Sequence, residues 1–358
     1  MSSRSPFRFV RWLLLLVFFA VVAAGVAGVF AYRHYQGFAD APITGLADGD
    51  TLVVDSGDSL PKVLRKLEAR GVSVRAMEWR ALAKETGAAG RIQIGEYALK
   101  AGITPRELLV AMRDGKVLQY RVTIVEGWNI RDLRAALAKA RPLKQESTAL
   151  DDRALMKAIG RGGQHPEGRF LPETYVYTGH DSDLDVLRRA ADAMDKALAE
   201  AWAGRDQDLP LQSAYELLTL ASIVEKETGI AEERPQIAGL FLRRLKVPMR
   251  LETDPTVIYG LGSAYSGNIR KVDLLTDTPY NTYTRDGLPP TPIAMPGKDA
   301  LQAVAHPAPG DALFFVAVGD GSGRHVFTRT YAEHQGAVAD YLRRYREQRA
   351  AEREGRTQ

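Results

Sequence analysis

The stretch Ser213–Thr228, SAYELLTLASIVEKET, contains the helix around which we expect the fold to form. Ser213 and Glu216 have the spacing of a capping box, in which each side chain accepts the other residue's backbone N–H and a helix begins. At about 100° per residue, the apolar side chains between 217 and 224 share one face centred on Leu220. Glu227 falls about 20° from that centre, so we expect its carboxyl group to point inward.

The two glutamates at the end of this stretch are not equivalent. Glu225 and Lys226 fall on the opposite side of the helical wheel and are expected to be solvated. A carboxyl group that loses hydration has a raised pKa, and an acid protonated near neutral pH suits cleavage of a glycosidic bond. The alternative for Glu227 is a place at the helix end in solvent, or a pairing with Arg234.

Polar and aromatic residues follow this helix in two segments, 251–260 and 280–284. Carboxylate and amide groups can bond the hydroxyl and N-acetyl groups of a sugar, and aromatic faces pack on its ring. We therefore expect Asp254, Asn281 and Tyr283 to orient a sugar on rigid loops. Taken singly, each could instead belong to an ordinary turn.

The N-terminal part of the sequence contains a candidate transmembrane helix. Trp12–Tyr32 contains no charged residue and is long enough to span a hydrocarbon core of ~30 Å at ~1.5 Å per residue. Arginines precede it and Asp40 follows soon after, so the positive-inside rule predicts a cytoplasmic N-terminus and an exported remainder. A cleaved secretory signal is the alternative, although its apolar region would be shorter.

Composition excludes several classes of protein. The chain has 358 residues, a net charge of +4 and 45% hydrophobic residues, which is typical of a folded protein. Residues 1–33 hold four arginines and no acid, whereas residues 34–340 hold 38 basic and 41 acidic side chains, which argues against a nucleic-acid partner. There is no cysteine, and the six histidines lack metal-binding spacing, so we expect no metal and no cofactor.

The predicted organisation is an α+β protein. Strand, helix, helix and strand patterns follow one another near residues 51–99, and a hairpin is expected near 313–327. The polar stretch 142–166 is expected to be a surface excursion. The predicted segments are a cytoplasmic N-terminus at 1–11, a transmembrane helix at 12–32, a linker at 33–50, a small subdomain at 51–118, a mixed α+β catalytic domain at 119–340 and a charged tail at 341–358.

Four ordered segments give the chain a family resemblance. Residues 167–175 (EGRFLPETY), 221–228 (ASIVEKET), 250–260 (RLETDPTVIYG) and 280–283 (YNTY) together resemble the YceG-like endolytic murein transglycosylases. The resemblance implies a single-pass protein of the cell inner membrane whose periplasmic part cleaves the β-1,4 bond between N-acetylmuramic acid and N-acetylglucosamine within peptidoglycan strands. The product would end in 1,6-anhydro-N-acetylmuramic acid.

The resemblance also implies an architecture and a role for the enzyme. It implies a LysM-like βααβ subdomain at 51–118, a lysozyme-like helical part around the glutamate, and a carbon–oxygen lyase that limits the length of nascent strands. Peptidoglycan strands are then the substrate, and penicillin-binding synthases are candidate partners. The catalytic acid of the family is the second glutamate of the Glu-Lys-Glu-Thr segment, which is Glu227, the residue that the helical wheel selects independently.

The predicted site has one catalytic residue, Glu227. The substrate-binding residues predicted with it are Glu225, Thr253, Asp254, Tyr259, Asn281 and Tyr283. Two alternatives stay open: a lysozyme-type hydrolase that uses Glu227 with Asp254, and a non-catalytic peptidoglycan-binding anchor for cell-wall synthases.

Overall fold

The computed structural model describes residues 6–355, with side chains described for 10–349. Arg4 of the predicted cytoplasmic segment and the last three residues of the predicted tail lie outside the described residues. The chain forms two compact units, one reaching Tyr120 with 178–180, and the other containing 121–177 and 181–358. Helices and two-stranded sheets occur in both units, so the predicted α+β class is confirmed.

The first unit combines a long N-terminal helix with a small βααβ arrangement. Its strands β1 and β2 pair antiparallel, with Leu52 opposite Tyr97. Both side chains are buried in one core with Trp79 of the second short helix. The elements are α1 (Pro6–Asp40), β1 (Asp50–Val54), α2 (Leu60–Glu68), α3 (Ala76–Glu85), β2 (Gly95–Leu99) and α4 (Pro105–Asp114).

Helix α1 is a candidate membrane span by its length and composition. Its apolar side chains up to Tyr32 are exposed, as a lipid-facing helix requires. The helix continues past Tyr32 to Asp40, and Ala39 and Ile43 are buried in the core of the first unit. The prediction of a linker at 33–50 is therefore wrong for residues 33–40, which are helical. The reason is that the apolar side chains near the end of this helix pack in the core of the first unit.

The second unit is mainly helical. β3 and β4 form one two-stranded sheet, and β5 and β6 form an antiparallel hairpin as predicted. The elements are β3 (Tyr120–Thr123), α5 (Ile130–Lys139), α6 (Asp152–Ala158), β4 (Thr174–Tyr177), α7 (Asp183–Gly204), α8 (Ala214–Glu227), α9 (Arg234–Lys246), α10 (Asp254–Leu261), α11 (Lys271–Leu275), α12 (Lys298–Ala305), β5 (Phe314–Ala317), β6 (His325–Thr328) and α13 (Tyr331–Gly355).

Two predictions for this unit are wrong in detail. The expected surface excursion at 142–166 contains helix α6, which buries Leu155 and Met156. The expected loop after Thr253 is helix α10, because Pro255 stands in the first helical turn, where its missing N–H breaks no helical hydrogen bond. Tyr259 is therefore carried by a helix.

Helix α8 lies at the centre of this unit. Helices α7, α9, α10 and α12 pack against it, and every residue from Leu217 to Val224 is buried. Ser213 accepts the N–H of Glu216 at 3.2 Å, whereas the Glu216 carboxylate accepts the N–H of Gln212 instead of that of Ser213. Half of the predicted capping box is present, and it fixes where the helix begins.

Candidate active site

Glu227 is the last residue of α8, where the buried helix reaches a partly exposed position. Burial by the surrounding protein raises the pKa of its carboxyl group to about 7, against the opposing effect of a hydrogen bond from Thr253. The Thr253 hydroxyl donates this hydrogen bond to Oε1. Oε2 accepts no hydrogen bond from the described residues, so it is the oxygen available to a ligand.

Thr253 is held by a network of buried threonines. Its side chain is 2% exposed, and its backbone N–H donates to Thr282 Oγ1 at 3.1 Å. Thr256 hydrogen-bonds both Thr282 Oγ1, at 2.9 Å, and the Thr253 carbonyl, at 2.7 Å. Because its backbone is fixed by these contacts, Thr253 directs its hydroxyl to Glu227 without reorganisation.

The residue before Thr253 has an unusual backbone. Glu252 has a φ of 47°, in the left-handed region that side chains other than glycine rarely adopt. Its N–H donates to the Thr282 carbonyl at 3.2 Å, which helps to hold this conformation. Strained backbone of this kind costs on the order of 1–3 kcal/mol and clusters at functional sites. Here it directs the chain from Arg250 into the Thr253 contact.

Asp254 and Tyr283 form the polar pair that lies beside this contact. The Tyr283 hydroxyl donates to Asp254 Oδ1 at 2.7 Å, and burial is the main reason that the pKa of Tyr283 is raised. Asp254 is exposed, and its negative charge adds to the raised pKa of Glu227. The structure therefore brings together Glu227, Thr253, Asp254 and Tyr283 of the predicted set.

Asn281 does not take the predicted place in this group. Its side chain is 1% exposed, and its amide donates to the carbonyls of Leu274, at 3.0 Å, and Thr276, at 2.7 Å. Its Oδ1 accepts the backbone N–H of Tyr283 at 2.9 Å. Because these bonds occupy both ends of the amide, the prediction of direct sugar contact is wrong, and Asn281 instead fixes the loop that carries Tyr283.

Glu225 also differs from the sequence prediction. Its side chain is 5% exposed, with Oε1 3.5 Å from the Arg234 guanidinium and Oε2 accepting the Gly297 N–H at 2.9 Å. Burial raises its pKa against the effects of these two partners. The expectation of a solvated side chain is wrong for Glu225, because its carboxylate meets Arg234 and the Gly297 N–H, but it is correct for Lys226, which is exposed. Both oxygens of Glu225 bind protein groups and are not free to contact a sugar.

Tyr259 lies on α10 with its hydroxyl turned into the protein. It donates to Glu167 Oε2 at 2.9 Å, and its ring packs edge-on against Tyr280 at 4.8 Å between centroids. Glu167 is fully buried and also accepts the Ile130 N–H at 3.1 Å, and burial raises its pKa to about 7. The hydroxyl of Tyr259 is therefore occupied, and Glu167 joins the start of α5 to α10.

A histidine and an arginine near Glu227 are missing from the predicted site. His325 of β6 contacts Glu233 Oε2 through Nδ1 at 2.8 Å, and Glu233 also accepts the His325 N–H at 2.9 Å. Arg244 of α9 is buried and donates to the Leu251 carbonyl at 2.6 Å. Positive charge on either residue lowers the pKa of Glu227, in opposition to burial. No local sequence pattern connects these residues with α8.

Comparisons over the whole chain show which known proteins it is similar to. Residues 52–340 match the model of the YceG-like family. A Bacillus subtilis (strain 168) protein named endolytic murein transglycosylase is 30% identical over 306 residues, which are 81% of this chain and 84% of that protein. A protein of the same name from Streptococcus pneumoniae serotype 2 is 25% identical over 364 residues, 91% of this chain but 64% of that longer protein. The crystal structure of a YceG-like protein from Listeria monocytogenes has a TM-score of 0.53 and 28% identity, covering 80% of this chain and 98% of that one.

Proposed function

The chain belongs to the YceG-like family, and on that premise we propose that it is an endolytic murein transglycosylase with Glu227 as its catalytic acid and base. The observation that carries the proposal is the Glu227 carboxyl group, which is partly exposed, has a pKa of about 7 and holds Oε2 free of protein partners. Near neutral pH such a group exists in both protonation states, and each state serves one step of the reaction.

In the first step the protonated carboxyl group gives its proton to the glycosidic oxygen that links N-acetylmuramic acid to N-acetylglucosamine. The bond between C1 and that oxygen breaks, and positive charge develops on the muramoyl ring. Glu227 is left as a carboxylate, and the hydrogen bond from Thr253 stabilises that charge on Oε1. Donation from Thr253 to Oε1 also favours Oε2 as the oxygen that carries the proton.

In the second step the Glu227 carboxylate removes the proton from the 6-hydroxyl of the same muramoyl ring. That oxygen forms a bond with C1, and the product ends in 1,6-anhydro-N-acetylmuramic acid. The proton returns to Glu227, so the cycle consumes no water and requires no second carboxylate. The negative charge of Asp254 close to the site would stabilise the positive charge on the ring.

The binding of the sugar falls to the exposed residues around Glu227. Asp254 offers acceptor oxygens, and the partly exposed Tyr283 ring offers an apolar face. We assign substrate contact to the exposed Asp254 and the partly exposed Tyr283. We assign supporting roles to Thr253, which is buried and holds Glu227, and to Glu225, Tyr259 and Asn281. The proposed substrate is the glycan strand of peptidoglycan.

The N-terminal helix supports an anchored enzyme. We propose that α1 crosses the cell inner membrane with the short N-terminus in the cytoplasm and the second unit in the periplasm. The βααβ order of the first unit supports a LysM-like subdomain that holds glycan, and penicillin-binding synthases are the proposed protein partners that would supply nascent strands. Reporter fusions after residue 120 that are active only when exported would support this orientation.

The catalytic assignment is tested with Glu227→Gln. Purified sacculi are incubated with the full-length protein in detergent, and the released fragments are identified by mass. We expect anhydro-ended fragments from the wild type and a loss of about 10²–10⁴-fold in the variant, which is the usual contribution of a general acid and base. Glu200→Gln is the matched control, since Glu200 is an exposed residue of α7.

The two alternatives give different outcomes in the same assay. A lysozyme-type hydrolase that uses Glu227 and Asp254 would release reducing ends, each heavier by one water. A non-catalytic anchor would bind sacculi and leave their mass profile unchanged. Full activity of Glu227→Gln would contradict the proposal.

A further inference from the structure

A cavity of about 500 Å³ lies in the first unit, where α1 leaves its apolar segment. Its wall includes Arg33 of α1, Thr44 and Ser73 of the following loops, and Arg75 and Trp79 at the start of α3. No aspartate or glutamate lines it. The proposed reaction takes place in the second unit and uses none of these residues.

Several donor groups around this cavity have no acceptor among the described residues, although His34 and one nitrogen of Arg75 contact Glu78. Arg33 makes no ion pair with the described residues, and Arg75 uses only Nη1, which lies 3.4 Å from Glu78 and 3.2 Å from the His34 ring. The Arg75 Nε and Nη2 edge is therefore free of partners within the described part of the chain. A guanidinium edge of this kind matches two oxygens of a phosphate.

Trp79 gives an independent indication of a ligand. It is 1% exposed, and its indole Nε1–H is buried without a hydrogen-bond acceptor among the described residues. A buried N–H without a partner costs on the order of 1–3 kcal/mol, and such groups usually meet a ligand or ordered water. The hydroxyl groups of Thr44 and Ser73 likewise have no described side-chain hydrogen bond. An anion in the cavity would offer acceptors to the exposed donors of Arg33, Arg75, Thr44 and Ser73.

The position of the cavity along α1 indicates the source of that anion. Arg33 is the first charged residue after the apolar segment that ends at Tyr32. From Arg33 to Gly37, which also lines the cavity, the helix rises by about 6 Å at about 1.5 Å per residue. Lipid headgroups occupy about 5–8 Å on each side of the hydrocarbon core. If α1 spans the membrane, the cavity lies at the level of the lipid phosphates.

The end of α1 is fixed to the subdomain that forms the rest of the cavity. Phe38 packs edge-on against Trp79, with 5.8 Å between centroids, and Arg106 of α4 binds Asp40 at 2.8 Å. The end of α1 and the neighbouring helices α3 and α4 therefore pack together around the cavity. A cavity formed by several packed elements differs from a single exposed arginine whose side chain extends toward the lipid headgroups.

We propose that this cavity binds the phosphate group of an anionic membrane lipid, with Arg33 and the free edge of Arg75 contacting its oxygens and Phe38 contacting its glycerol region. Binding there holds the subdomain against the membrane surface. This inference rests on the proposed membrane anchorage of α1 and not on the proposed catalytic chemistry.

The test uses full-length protein in detergent, with lipid retention measured by native mass spectrometry. Phosphatidylglycerol is the probe, and diacylglycerol, which lacks the phosphate, is the comparison lipid. We expect Arg33→Gln with Arg75→Gln to lower the retained phosphatidylglycerol at least tenfold. The matched control is Arg65→Gln with Arg80→Gln, which removes the same charge from exposed positions of α2 and α3 outside the cavity and should change retention less than twofold.

A second variant keeps the charge unchanged. Ser73→Ala removes one exposed donor, so it should fold normally and weaken retention about threefold to tenfold, the effect of one hydrogen bond of about 1 kcal/mol. Equal retention of diacylglycerol, or equal retention by the cavity and control variants, would overturn the proposal. Binding of inorganic phosphate without retention of any lipid would overturn the assignment to a membrane lipid.

The same preparations separate this inference from the proposed function. Glu227→Gln should retain phosphatidylglycerol as the wild type does. If that variant still cleaves sacculi, the catalytic assignment fails and the lipid site is unaffected. If only the cavity variants lose lipid while activity on soluble glycan fragments is unchanged, the lipid site is supported independently.

Discussion

We expect the Glu227→Gln variant to be more stable than the wild type at alkaline pH, because burial raises the pKa of the Glu227 carboxyl group. The pKa of Glu227 is raised from its ordinary value of 4.5 to about 7. Between these values the folded protein holds a proton that the unfolded chain has released, so the free energy of unfolding falls as pH rises. At about 1.4 kcal/mol per pKa unit, the whole difference is about 3 kcal/mol above pH 7.

Glutamine removes this destabilisation without removing the contact to Thr253. Its side-chain oxygen can still accept the threonine hydroxyl, and its amide has about the same volume as a carboxyl group. We therefore expect the free energy of unfolding of Glu227→Gln to exceed that of the wild type by about 3 kcal/mol at pH 8 and to equal it near pH 4. The difference in the free energy of unfolding between the two proteins should grow as the pH rises from 4.5 to 7.

The assay is urea unfolding of the full-length protein in detergent at a series of pH values, followed by tryptophan fluorescence. Trp128 and Trp202 lie in the second unit and report on its transition. Glu200→Gln, at an exposed position, should give a difference that does not change with pH. If wild type and Glu227→Gln were equally stable at pH 8, the carboxyl group would ionise as an ordinary glutamate and would not be perturbed by burial.

Three further variants address the groups around Glu227. Thr253→Val removes the hydrogen bond that lowers the pKa of Glu227, so the alkaline limb of the pH–activity profile should move up by about one pH unit. An alkaline limb at the same pH as in the wild type would contradict a role of this hydrogen bond. Arg234→Met leaves Glu225 buried without its cation, and stability should fall by about 3 kcal/mol at pH 8. Because the pKa of Glu225 is already raised by burial, this loss should shrink as the pH is lowered and Glu225 takes up a proton; a loss independent of pH would speak against this pairing. Asn281→Ala should lower stability by about 2–4 kcal/mol in thermal unfolding, because it removes several buried hydrogen bonds; a variant as stable as the wild type would show that those bonds are not required.

The helical wheel succeeded for Glu227 and failed for Glu225 for one physical reason. A wheel assumes that a helix has one packed face and one solvated face. Helix α8 is buried on every side from Leu217 to Val224, so a residue opposite the apolar stripe meets α9 and the Gly297 loop instead of water. The uninterrupted run of uncharged residues before Glu225 was the available signal, since a helix that is apolar all round is buried.

The segments after α8 show a second limit of local patterns. Asp254-Pro255 fits a turn and a helix start equally well, and only the packing of α10 against α8 decides between them. The contacts of Asn281 with the 274–276 carbonyls depend on how a loop folds back on α11. Residue type therefore identified the segments that form the site, while tertiary contacts decided which of their side chains face outward.

The groups that tune Glu227 from a distance could not be predicted at all. Arg244 and His325 are separated from it by 17 and 98 positions in the sequence, and neither belongs to a spaced motif. Glu167 accepts a hydrogen bond from Tyr259 of the predicted set and lies far from it in the sequence. Periodicity detects neighbours on one element, whereas these contacts arise where separate elements meet.

The most direct test of the central claim is digestion of sacculi in water enriched in heavy oxygen. If Glu227 directs the muramoyl 6-hydroxyl onto C1, the released ends will be anhydro-ended and will carry no heavy oxygen. Incorporation of heavy oxygen into reducing ends would show that water attacks C1. That result would contradict the proposed use of one carboxyl group as both acid and base.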